Sequence, residues 1–158
     1  MLDNFSQSAG RVLFWARSEA GRSEAVEPAH LLLGFIIEDQ VESEQAAARH
    51  FGDKPADRIG ILASDGPPFF SAELAAKLRQ AVAESDKPGE LKPDHVDMPL
   101  AEASKRAIIA AKEHAGASQV RLLHILWALT TDDTSTANLL QSNGVTAERV
   151  ESEIRHRY

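Results

Sequence analysis

Apolar and small residues recur three and four positions apart through Phe5, Ala9, Val12, Leu13, Ala16 and Ala20, the stripe of an amphipathic helix over residues 4–20. Ser6 or Asn4 can cap its start, and Gly21 ends it. A second helix is announced by Pro28, whose missing donor has no partner in a first turn anyway, with Glu27 at the positive end of the dipole. It runs to about Asp39, and Leu31, Leu32, Leu33, Phe35, Ile36 and Ile37 make it apolar nearly all round, so it is expected at the centre of the fold. Short helices over 43–52 and 55–62 follow. The sequence ASDGPP then breaks the chain, and Ser71 caps a helix over 71–84 with Leu74, Leu78 and Val82 on one face. Residues 85–97 are polar, carry two prolines and a glycine, and read as a linker.

Beyond the linker the pattern starts again. Leu100, Ala103, Ala107, Ala110 and Ala111 mark a helix closed by Gly116, and Leu122, Ile125, Leu126 and Leu129 mark a second apolar helix over 121–130. Asp132 to Thr134 cap one more helix, and Thr146 caps the last. VEPAHLLLGF at 26–35 and VRLLHILWAL at 120–129 share one build, with His30 and His124 94 residues apart. At that spacing Ala9 meets Ala103, Arg11 meets Lys105, Val26 meets Val120 and Leu32 meets Leu126, so one unit is written twice. No stretch alternates strictly, so no significant sheet is expected. The reading is an all-α fold, a pseudo-two-fold duplicated four-helix repeat with an extra helix between repeats. It spans 1–62, a connector over 63–97 with the helix at about 71–84, and 98–158, as one compact domain overall.

Composition narrows the function more than the fold. The 158 residues suffice for one domain, and 43% hydrophobic with 26% charged residues is a globular balance. With a net charge of −7 and scattered Lys and Arg, no basic face favours a phosphate backbone, and nucleic acid is discounted. The lack of cysteine excludes thiol catalysis and fits a reducing compartment. No window is apolar enough for a membrane span and residues 1–10 carry no secretory pattern, so cytoplasm is the expected location.

The helix RVLFWARSEA at 11–20, the block PAHLLLGF, and their looser second copies MPLAEASKRAIIAAKEHA at 98–115 and LLHILWAL resemble the Clp N-terminal domain, the double repeat of ClpA- and ClpC-type unfoldases. The resemblance runs through both units. No G-x-x-x-x-G-K-[ST] occurs, so the recognition module is expected without the ATPase motor. The resemblance implies a non-catalytic protein-binding module, an accessory or adaptor-like factor. Its implied partner is a Clp unfoldase, the protease core or its substrates, with no cofactor. In ClpC-type domains a glutamate just before the block's histidine helps to bind phosphorylated arginine. Ala29 and Leu123 stand at that position here and accept nothing from a guanidinium, so that recognition is expected to be lost. Ser6 matches a pocket threonine of the family, and Leu100 is read as its second-unit equivalent. The alternative is a regulatory or self-associating protein that reuses the fold for an unrelated ligand or partner.

Bland explanations compete for the remaining candidates. His30 and His124 each fall in the first turn of a core helix, where a hydrogen bond to the neighbouring loop accounts for them better than metal binding. The acids Glu38, Asp39, Glu42 and Glu44 read as a solvated helix end. Gly34, opposite Ala128, points to a close helix contact. Trp15 and Trp127 are expected in the core, and one of Phe69 and Phe70 is expected to be exposed or to staple the extra helix to the repeats. The candidate partner-binding residues are Ser6, Gln7, Glu27, Phe69 and Phe70. No catalytic residue and no metal ligand are expected.

Overall fold

Hydroxyl side chains begin four of the helices. Ser6 Oγ accepts the Ala9 amide (3.1 Å) at α1 (Gln7–Glu19), and Ser71 accepts that of Leu74 (3.1 Å) at α3 (Ala72–Ser85). Thr134 accepts Ala137 (3.1 Å) at α6 (Ser135–Ser142), and Thr146 accepts Arg149 (3.2 Å) at α7 (Ala147–Arg157). Each cap satisfies an otherwise orphaned donor and contributes about 1 kcal/mol. The two apolar helices, α2 (Pro28–Asp39) and α5 (Leu122–Thr131), begin differently. There the ring of His30 accepts the Glu27 amide on Nδ1 (2.9 Å), and His124 accepts that of Arg121 (2.8 Å). The paired histidines are thus helix caps that hold the chain's turn into each core helix.

The computed structural model describes residues 3–21, 23–40, 67–85 and 99–158. The helices expected over 43–52 and 55–62, most of the linker, and Glu42 and Glu44 lie outside the described residues. Among the described residues there are seven helices, α4 (Glu102–Ala115) completing the set, and the non-helical pairing is two isolated bridges. The fold is all-α.

Burial follows the apolar pattern. Leu31, Leu32, Phe35 and Ile36 of α2 and Ile125 and Leu126 of α5 are wholly buried, and α5 packs against α1, α2, α4, α6 and α7. Only a helix apolar on every side can be covered on so many sides without burying unpaired polar groups. Helices α1 and α2 approach closely at Gly34, where a Cβ would lie 2.4 Å from the Val12 carbonyl oxygen. That approach explains a glycine in a helix interior, where it costs about 1 kcal/mol relative to alanine. Helix α3 packs on α2 as α7 packs on α5, which gives it a spatial counterpart that its sequence does not announce.

The two units interlock through their starts. Phe5, two residues before α1, pairs with Val120, two residues before α5, in a bridge where the Ser6 amide donates to Val120 O and the Val120 amide to Asn4 O (2.8 Å each). The Val26–Leu100 bridge repeats the arrangement with the units exchanged: Val26 N to Pro99 O (2.9 Å) and Ala101 N to Val26 O (3.0 Å). Leu100 therefore corresponds to Phe5 and not to Ser6, whose equivalent is Ala101, the residue capping α4. The single spacing of 94 holds for the core helices and slips by one in the first helices. The cause is one extra residue between Gly21 and Val26, compared with Gly116 to Val120. The corrected register pairs Gly21 with Gly116 and the exposed Phe14 with the exposed Ile109.

Candidate functional site

A cavity of about 310 Å³ lies at the seam of the units. Its walls are the first turn of α2 from Glu27 to His30, Val82 near the end of α3, Ala103 of α4 and the first turn of α6 from Thr134 to Thr136, with Ser23 at its edge. Two helix N-termini, with their unpaired amides and positive dipole ends, thus border one space. Glu27 is exposed beside it, while His30 is 2% and Val82 3% exposed.

The five candidate residues fall in three separate places. Ser6 is buried and its hydroxyl is committed to the Ala9 amide, so it is a helix cap; Gln7 beside it is exposed. Both sit where α1 meets the start of α5. Glu27 alone borders the cavity. Phe69 and Phe70 lie at the far end of α2, about 18 Å from Glu27 along a twelve-residue helix. Phe70 is 2% exposed and meets Phe35 edge-on (centroids 5.3 Å, 69°), so it staples the segment before α3 to the core. The Arg149 guanidinium lies 5.3 Å from the centroid of the half-buried Phe69 ring. Phe70 is therefore no contact surface.

The fold is shared with a solved structure. No family model matches the chain, and comparison with curated proteins returns no match. The crystal structure of the N-terminal domain of the caseinolytic protease associated chaperone ClpD from Arabidopsis thaliana superposes with a TM-score of 0.60 at 23% sequence identity. The match covers 96% of this chain and 95% of that one. The chain has the Clp N-domain fold.

Within this Clp N-domain fold, two residues read as a solvated acidic end are buried instead. Glu38 is 3% exposed: its Oε1 accepts Ser8 Oγ (3.0 Å) and Arg11 Nε (2.7 Å), and its Oε2 accepts Trp15 Nε1 (3.1 Å). The three donors stand at i, i+3 and i+7 on α1, one face of the helix. That polar stripe along an amphipathic helix was the available signal for a buried acid opposite. Asp39, also 3% exposed, accepts the amides of Phe69 (2.6 Å) and Phe70 (2.9 Å) and the Gln40 side chain (3.1 Å). Burial pushes its carboxyl above the ordinary 3.8, and those hydrogen bonds and the charge of Arg157 pull it back only in part. Both acids clamp elements together, and neither lines the seam cavity. A carboxylate at the negative end of a helix needs such donors to be tolerated in the interior.

The second unit of the Clp N-domain fold carries its own cluster. Trp127 is half-buried and stacks on His114 (centroids 3.9 Å, 10°), and His114 Nε2 lies 2.5 Å from Glu151. Trp15 is wholly buried. Among the described residues no set of three or more His, Asp and Glu converges as a metal site, and no helix is long and apolar enough to cross a membrane.

Proposed function

We propose that the chain is a non-catalytic protein-binding module, an accessory or adaptor-like factor of a Clp chaperone or protease system, and that the seam cavity takes part in docking. The observation that carries this reading is an open cavity at the start of a core helix in a Clp N-domain fold. Its walls are mixed: backbone amides and hydroxyls border Pro28, Val82 and Ala103. Polar groups that fix orientation over an apolar body are the composition of a recognition site. Of its polar side chains, His30 Nδ1 accepts the Glu27 amide (2.9 Å) and Thr134 Oγ1 the Ala137 amide (3.1 Å), commitments to helix capping that favour recognition over acid–base or covalent chemistry.

The test is capture from lysate on the immobilised chain, followed by identification of bound proteins. Recovery of a Clp unfoldase or protease core, reduced when the cavity is narrowed by Ala103→Leu, is the expected result. Repeated recovery of a different partner without any Clp component would sink the reading.

A further inference from the structure

In the second unit the corresponding notch at the start of the core helix is covered by a side chain that keeps 36% exposure. Tyr158 reaches it from the end of α7: its Oη accepts the Leu123 amide (3.3 Å), its ring lies against His124 (centroids 5.3 Å), and the Arg121 guanidinium covers it (4.9 Å). In the repeat, Arg121, Leu123 and His124 correspond to Glu27, Ala29 and His30, all three of which line the open cavity. In the first unit the helix that packs on α2, as α7 packs on α5, is α3, and it brings Val82 and no ring to the cavity wall.

The first unit also keeps unpaired the groups that such a ring would satisfy. The Ala29 amide, equivalent to the one bonded by Tyr158, meets no acceptor among the described residues. Thr136 lines the cavity at 4% exposure, and its hydroxyl has no hydrogen-bond partner among the described residues. Glu27 takes the place of Arg121 and supplies a carboxylate that accepts a phenolic O–H. On the reading of the chain as a docking module, we propose that the seam cavity receives a tyrosine side chain from a partner polypeptide. The ring would fill the space that Val82 leaves, and its hydroxyl would bond the Ala29 amide and Glu27. The occupant is assigned to a polypeptide because the molecule's own example, Tyr158, is a side chain presented from a helix end.

Titration of the whole chain with N-acetyl-tyrosinamide, followed by amide chemical shifts and calorimetry, tests the proposal. The expected result is one equivalent bound with about millimolar affinity, as befits so small a ligand. N-acetyl-phenylalaninamide, which lacks the hydroxyl, should bind about threefold to tenfold more weakly. Val82→Tyr should abolish binding by filling the cavity from within, and Ala103→Leu, which narrows it from the opposite wall, should weaken it even if the first variant folds poorly. Tyr158→Val should open the second notch and raise the stoichiometry to two. No saturable binding by the wild-type chain, equal binding of the two amides, binding untouched by both cavity variants, or no second equivalent in Tyr158→Val would each overturn the proposal. A wild-type chain that captures a Clp component yet ignores tyrosinamide overturns this proposal alone and leaves the docking reading standing.

Discussion

Glu38→Leu should destabilise the chain by about 4 kcal/mol, a figure that follows from what the carboxylate holds. Its side chain is 2% exposed and accepts no fewer than three hydrogen bonds, from Ser8, Arg11 and Trp15. An orphaned buried donor costs about 1–3 kcal/mol, and losing one partner of a buried ion pair costs about 3–5 kcal/mol. These losses overlap, because the Arg11 side chain keeps 15% exposure and water reaches part of it once the acid is gone. A domain of this size holds about 5–15 kcal/mol in all, so the variant should stay folded with a much lower urea midpoint. Helix ellipticity is the proper probe, since Trp15 fluorescence would report the lost bond as well as unfolding. A double-mutant cycle with Arg11→Leu should show coupling of about 2 kcal/mol, because the second substitution removes the charge that the first strands. By contrast Lys105→Ala, which removes the exposed pair with Glu102 (side chains 51% and 80% exposed), should leave the midpoint within experimental scatter. If Glu38→Leu costs less than about 1 kcal/mol, or the cycle is additive, Glu38 is not the clamp between α1 and α2.

Gly34→Ala should lower stability by about 1–3 kcal/mol despite alanine's better helix propensity, since the new Cβ meets the Val12 carbonyl; a raised melting temperature would show that the helices do not touch there. Asp39 sets a pH dependence whose sign is unusual for a carboxylate. Its folded pKa lies above 3.8, so its contribution to stability is fully present below that value and is lost as pH rises through the folded pKa. Relative to Asp39→Asn, the wild-type chain should therefore gain stability as pH falls from neutrality towards 3.8, and parallel pH profiles would refute this. Phosphoarginine should give no heat on calorimetric titration, because Ala29 and Leu123 offer no carboxylate at the matching positions; micromolar binding would overturn that expectation.

Local chemistry was legible from the residues alone. The three- and four-residue stripes, the hydroxyl caps at Ser6, Ser71, Thr134 and Thr146, and Pro28 at the head of α2 mark helices because backbone donors must be met within a few residues of the chain. The duplication could be read from the two apolar blocks, and with it the double-repeat fold. Other features depend on which surface a distant segment covers, and periodicity carries no information on that. Glu38 and Asp39 look like a solvated end until α1 lies over one and the segment before α3 closes over the other. The slip from a spacing of 94 appears only when the bridges pair Phe5 with Val120 and Val26 with Leu100. The cavity is likewise a product of tertiary structure. Val82 is an ordinary apolar position on its helix, and it becomes a cavity wall only because the fold sets it beside the starts of α2 and α6.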